Sequence, residues 1–175
     1  LKGANKIESD DENIVYELSD SRFKVSSSGS SAVITAPTQG TGETVSYLTL
    51  KHEKADINKK VLILTADEEE TLYKMKALYT DKQYYNIEVD DMTSLLVETV
   101  GFEGTYDEET DTYTDYDFSQ IQWTVANSSI LNIKKSSENP KACIIRGLKS
   151  GKTTVTASLE DKSIDFDVIV YPRGS

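Results

Sequence analysis

The sequence predicts an all-β fold made of two tandem sandwich modules, and three observations carry that prediction. Short runs rich in Val, Ile, Thr and Tyr recur roughly every 8–12 residues with polar turn clusters between them, as in a sandwich or barrel. The order of these runs repeats along the chain. A first copy opens at Ile14-Val15-Tyr16-Glu17-Leu18 and closes at Lys60-Val61-Leu62-Ile63-Leu64-Thr65; a second opens at Ile121-Gln122-Trp123-Thr124-Val125 and closes at Asp167-Val168-Ile169-Val170-Tyr171. The closing run also alternates, with Ile164, Phe166, Val168 and Val170 on one face and Asp165 and Asp167 on the other. A half-buried antiparallel strand requires that period of two, and a one-residue slip would bury the aspartates.

The first copy is expected to hold strands near Ile14–Leu18, Arg22–Val25, Ala32–Thr35, Thr44–Lys51 and Lys59–Thr65. Ser26-Ser27-Ser28-Gly29-Ser30-Ser31 falls where a hairpin connection belongs, and Pro37–Gly42 is the next turn. Residues 1–13 are polar and read as a leader, a loose end or an abbreviated edge strand. Asp67-Glu68-Glu69-Glu70 breaks the pattern and sets the expected boundary between modules 1–66 and 67–175. Over Glu68–Leu78 a short helix competes with an extended strand, and the β composition that follows favours the strand. Strands then follow at Tyr84–Val89 and Leu95–Phe102, and an acidic insertion spans 103–117. The second copy reads Ile121–Val125, Ile130–Lys134, Ala142–Arg146, Thr153–Leu159 and Ile164–Tyr171.

Composition narrows the function. Hydrophobic content of 37% with 28% charged residues suits a globular protein. No apolar stretch reaches the roughly 20 residues needed to cross a bilayer, so no membrane insertion is expected of this stretch. The net charge of -11 falls mostly on residues 67–175, which carry eleven Lys/Arg against twenty-one Asp/Glu. That field repels phosphates, so nucleic acid is excluded as a partner, while cations and basic partners are compatible. Cys143 is the only cysteine and sits in the apolar run Ala142-Cys143-Ile144-Ile145, where a small buried hydrophobe is expected. His52, the only histidine, belongs to the other copy. A Cys-His nucleophile pair is thus not expected, multi-histidine metal sites and a Ser-His-Asp triad within one module are set aside, and no catalytic residue is assigned. Pairs such as Asp90-Asp91, or Asp165 with Asp167, read as water-facing strand residues rather than a glycosidase acid and base.

Trp123-Thr124-Val125-Ala126-Asn127-Ser128-Ser129-Ile130-Leu131-Asn132-Ile133, followed by Ile145-Arg146-Gly147 and Ser150-Gly151-Lys152-Thr153-Thr154-Val155-Thr156-Ala157, resembles the bacterial immunoglobulin-like group 2 family. That pattern is a strand bearing Trp, a polar turn, a strand ending in Gly, and a Gly-containing turn into a Thr/Val/Ala strand. The resemblance covers about 121–172 well. It covers 14–66 more loosely, with Tyr16 at the Trp position, Gly42 near the Gly151 position and no counterpart of Gly147. It implies tandem immunoglobulin-like β-sandwiches. Two departures stand out: about 13 residues precede the Tyr16 strand against more than 50 before Trp123, and the acidic insertion interrupts the second module. The first module is therefore expected to have missing or abbreviated opening strands.

The resemblance implies a non-enzymatic module of a bacterial surface or secreted protein, a stalk or spacer with an adhesive role, flanked by neighbouring domains of a longer chain. The expected setting is extracellular or the cell surface. The alternative is an accessory module, of a phage structural protein or a secreted enzyme, that binds a glycan or a host or cell-surface protein. Its contact region would be the Tyr-rich acidic segment. Tyr106, Tyr113 and Tyr116 are the candidate ligand-binding residues there, because exposed tyrosines supply apolar area and a hydroxyl at low entropy cost. Asp107, Glu109, Asp111, Asp115 and Asp117 are the candidate calcium ligands, being clustered hard oxygen donors without the spacing of an EF-hand. A solvated hairpin that needs no metal is the simpler reading of the same residues. No other cofactor is expected.

Overall fold

The computed structural model describes residues 4–8, 14–28, 30–37, 42–52 and 58–174. The chain is all-β, a tandem of immunoglobulin-like sandwiches, and divides into an N-terminal unit, Leu1–Met75, and a C-terminal unit, Lys76–Ser175.

The N-terminal unit holds β1 (Ala4–Glu8), β2 (Ile14–Leu18), β3 (Lys24–Ser28), β4 (Ser31–Thr35), β5 (Thr44–His52) and β6 (Asn58–Thr65). They form two antiparallel sheets with strand orders β1-β4-β3 and β2-β5-β6. Ala4–Glu8, within the polar opening segment, pairs along the whole of β4. Phe23, Ile34, Leu48 and Ile63 fill the space between the sheets. Tyr16 stands on β2, and its hydroxyl donates to the Ser30 carbonyl at 3.0 Å, fastening one sheet to the hairpin of the other. This interior is small and partly polar, with Thr44, Ser46 and Thr65 buried and the two threonine hydroxyls hydrogen-bonded to each other. Residues 38–41 of the turn expected at Pro37–Gly42 lie outside the described residues.

The strand expected over Glu68–Leu78 does not form as one piece. A short helix, α1 (Glu69–Lys74), comes first and the strand begins only at Ala77. Glu70 lies in the first turn, where a negative charge suits the positive end of the helix dipole, and Lys74 closes an i,i+4 pair with it at 2.7 Å. Met75 is then buried and ends the turn. The local charge pattern outweighed the β propensity of the residues downstream.

The C-terminal unit holds β7 (Ala77–Tyr79), β8 (Tyr84–Glu88), β9 (Met92–Leu96), β10 (Glu98–Val100), β11 (Thr105–Asp107), β12 (Thr112–Thr114), a 3-10 turn (Phe118–Gln120), β13 (Gln122–Val125), β14 (Leu131–Lys135), β15 (Ala142–Gly147), β16 (Gly151–Leu159) and β17 (Lys162–Tyr171). Two sheets, β13-β16-β17-β8 and β14-β15-β9, enclose the interior; β7 pairs with β10, and β11 with β12. The repeat read from the sequence is a repeat of topology. The order β2-β5-β6 recurs as β13-β16-β17, and β3-β4-β1 recurs as β14-β15-β9. Tyr16 and Trp123 occupy matching edge strands.

Phe166, fully buried at the centre of β17, touches Trp123 at 5.8 Å and Tyr85 at 6.4 Å between ring centroids. Among the described residues the buried Trp123 indole N–H has no hydrogen-bond partner, a cost of about 1–3 kcal/mol that the ring's apolar burial offsets. Gly147 shows why this strand ends in glycine. A Cβ there would lie 2.7 Å from the Glu88 carbonyl oxygen and 2.9 Å from Val170 Cγ1. The bare backbone lets the turn between β8 and β9 close on β15, with Asp90 N–H donating to the Gly147 carbonyl at 2.8 Å and Gly147 N–H to the Asp91 carbonyl at 3.1 Å.

The course of the chain through this unit follows from register. Lys76 lies beside Glu160, at 3.0 Å, in the turn joining β16 to β17. From there the chain passes through β7 to β8, which pairs with β17 in parallel from Tyr84↔Asp167 to Glu88↔Tyr171. Beyond Tyr171, Arg173 reaches Asp91 at 3.2 Å in the turn at the far end. The chain thus enters at one end of β17 and leaves at the other, a span of roughly 30 Å for ten extended residues.

Candidate functional site

The acidic insertion folds as a hairpin outside the main sheets. Thr105–Asp107 pairs with Thr112–Thr114, with Tyr106 directly opposite Tyr113. Every residue of both strands is exposed, Tyr106 at 57% and Tyr113 at 61%. Their hydroxyls are tied to the hairpin itself. Tyr106 donates to Asp111, which raises the phenol's pKa, and Tyr113 accepts from the Gly104 N–H at 3.1 Å. Tyr116 is not part of this pair. It is half-buried against Phe102 and Phe118, at 5.4 and 5.0 Å between ring centroids, and its hydroxyl donates to Glu160 at 3.1 Å.

The carboxylates of the insertion shape turns. Asp107 accepts from the backbone N–H groups of Glu109 and Thr110 at 2.9 and 3.3 Å, which holds its pKa below the usual carboxylate range. Asp111 adopts a positive φ of 51° at the turn, a conformation that Asp tolerates better than most residues. Asp117 accepts from the Ser119 hydroxyl at 2.5 Å and the Ser119 N–H at 3.0 Å, capping the 3-10 turn and lowering its own pKa. Glu109 and Asp115 are exposed. Among the described residues, no group of three or more His, Cys, Asp or Glu side chains is placed to hold a metal ion. Cys143 is fully buried on β15, and burial pushes its thiol up to about 11.

A second surface is not marked by any motif. The outer face of the sheet β13-β16-β17-β8 carries Tyr84, Asn86 and Glu88 from β8 beside Asp167, Ile169 and Tyr171 from β17. Tyr84 is 65% exposed and Tyr171 45%. Asp165 and Asp167 accept hydrogen bonds from Thr156 and Thr154 of β16 at 2.6 and 3.2 Å. A cleft of about 490 Å³, lined by Asn86, Ile87, Glu88, Asp91 and Tyr171, opens at the end of this face. The alternation along β17 foretold which residues face outward. The parallel partner β8, which brings Tyr84 onto the same face, is a long-range pairing that no local signal announces.

No family model matches the chain, and no curated protein matches it. Among solved structures, the D0-D1 domain of intimin aligns with 89% of this chain and 77% of its own length, at 12% identity and a TM-score of 0.44. Domains 4 and 5 of the S-layer protein SbsC align with 90% of this chain and 76% of their own length, at 13% identity and a TM-score of 0.40. A longer piece of that S-layer protein aligns with 91% of this chain at 14% identity and a TM-score of 0.40, and the chain spans 20% of its length. The strand orders and registers of the two units themselves define the fold. Among the described residues, no helix is long and apolar enough to cross a membrane.

Proposed function

We propose that the chain is a non-enzymatic tandem module of a bacterial surface or secreted protein, of the bacterial immunoglobulin-like group 2 type, acting as a tension-bearing spacer. The observation that carries this reading is the path through the C-terminal unit, in at one end of β17 and out at the other. Tension applied to Lys76 and Tyr171 pulls β8 and β17 in opposite senses along a parallel ladder of five registered pairs. Force along the strands loads those hydrogen bonds together, whereas force across them would break one after another. A unit placed in series in this way holds its neighbours apart without stretching.

Single-molecule pulling tests the reading. Attached through residues 76 and 173, the C-terminal unit is expected to resist a clearly higher force than when attached through residues 76 and 160, which lie at the same end. Equal forces in the two geometries would refute the spacer mechanism.

The fully exposed hairpin supports a second element of the reading, an adhesive contact. Tyr106 and Tyr113 present two rings on an acidic tip, suited to a basic protein surface or a glycan. Loss of attachment to cells or matrix in Tyr106→Ala with Tyr113→Ala would support that contact, and unchanged attachment would remove it.

A further inference from the structure

We propose that the outer face of the sheet β13-β16-β17-β8 is a binding site for a linear, uncharged polysaccharide. The site is distinct from the acidic hairpin and independent of the spacer reading, since a face can bind sugar whether or not the unit bears load. Tyr84 and Tyr171 stand on the same face of adjacent strands, four register steps apart, which separates them by about 13 Å along the strand direction. Both are exposed although both belong to regular strands whose opposite faces are core. Rings presented in this way offer flat apolar area, with a hydroxyl at the rim, to the C–H faces of sugar rings several residues apart along one chain.

The residues between the two tyrosines supply the polar half of such recognition. Asn86 presents an exposed amide, with both donor and acceptor capacity, between Tyr84 and Glu88. Asp165 and Asp167 are each held by a threonine hydroxyl on one oxygen, Oδ1, and are thereby oriented before any ligand arrives. An oriented carboxylate accepts strongly from sugar hydroxyls and loses little freedom in doing so. Ile169 fills the middle of the row, and the cleft beside Tyr171 receives the end of the chain.

Charge selects the class of sugar. Glu88, Asp91, Asp165 and Asp167 lie on or beside the face, against Lys152 on β16 and Arg173, which is already paired with Asp91. A sulfated or uronic-acid polymer would be repelled, leaving neutral chains as the fitting ligand.

Calorimetric titration of the full chain with a panel of probes tests this. The panel is the hexasaccharides of β-1,4-linked glucose, xylose, mannose and N-acetylglucosamine, with dextran sulfate as the anionic control. At least one neutral probe is expected to bind, and dextran sulfate is expected not to bind. Tyr84→Ala and Tyr171→Ala are each expected to weaken binding by about tenfold, the scale of losing one aromatic contact. Met92→Ala, an exposed substitution on β9 of the opposite sheet, is expected to leave it unchanged. Both platform tyrosines are exposed, so the variants keep the core intact, and an unchanged melting temperature checks this. Binding of no neutral probe, preference for dextran sulfate, full affinity in the Tyr84/Tyr171 double variant, or loss in Met92→Ala would each overturn the assignment.

Discussion

Replacing Gly147 by Ala probes the close approach of the turn between β8 and β9 to β15 in the C-terminal unit. The new Cβ would lie 2.7 Å from the Glu88 carbonyl oxygen and 2.9 Å from Val170 Cγ1, both well inside van der Waals contact. Neither neighbour can step aside cheaply. The oxygen belongs to the backbone of β8, and Val170 is 2% exposed, wedged in the core. Relief therefore requires the turn between β8 and β9 to retreat, which stretches the 2.8 and 3.1 Å hydrogen bonds that Gly147 exchanges with Asp90 and Asp91. Overpacking of this kind costs about 1–3 kcal/mol, and each weakened hydrogen bond adds up to about 1 kcal/mol. The smaller unfolded-state entropy of Ala returns about 0.4–1 kcal/mol. The net loss is about 2–3 kcal/mol, or a fall of roughly 10–20 °C in the melting temperature of a unit of this size. Differential scanning calorimetry of the whole chain would show the C-terminal transition moving while the N-terminal one stays. An unshifted or raised C-terminal transition would refute the close-approach argument.

Three further predictions follow from the side chains. Arg22 beside Asp20 holds its carboxyl at about 2, against an ordinary value of 3.8, so the stabilisation from this pair is complete above pH 3.8 and lost as pH falls through about 2; Asp20→Asn is expected to flatten the acid limb of N-terminal unfolding in that window, and an unaltered limb would count against the pair. Burial pushes the Cys143 thiol up to about 11, so a thiol reagent at pH 8 is expected to label the folded chain far more slowly than the denatured chain, and fast native labelling would contradict the packing. Calcium at millimolar concentration is expected to leave the C-terminal melting temperature where magnesium leaves it, because Asp107 and Asp117 already serve turns and Asp111 is engaged by Tyr106; a rise with calcium alone would support Asp107, Glu109, Asp111, Asp115 and Asp117 as ligands.

What the sequence disclosed depended on how local the signal was. The period of two in Ile164–Val170 announced both the strand and its buried face, and burial of Phe166, Val168 and Val170 follows it residue by residue. The repeat was legible because the strands carrying Tyr16 and Trp123 open the same strand order. Gly147 was visible as a motif residue, but its reason, the approach of the turn at Asp90 and Asp91, lies more than 50 residues away. The stretch Glu68–Leu78 misled because two elements share it, a helical turn governed by charge and a strand governed by pairing with Glu98–Val100.

The candidate site was legible only in part. An exposed acidic hairpin could be read from alternating Thr, Tyr and Asp, and it places Tyr106 against Tyr113. Tyr116 looked equivalent because its immediate neighbours are charged. In space it meets Phe102 and Phe118, a contact set by the fold rather than by the neighbours. Tyr84 and Tyr171 share a face only because β8 joins β17 in parallel, a pairing across more than 80 residues that composition and periodicity do not encode.

Two separate interiors, built on matching strand orders, follow one another along the chain. Pulling the whole chain from its two ends while recording extension tests this most directly. Two separate unfolding events are expected. The weaker is expected to release roughly 250 Å of chain from the 75-residue unit with the small, partly polar core, and the stronger roughly 340 Å from the 100-residue unit. A single event releasing the full length at once would contradict it.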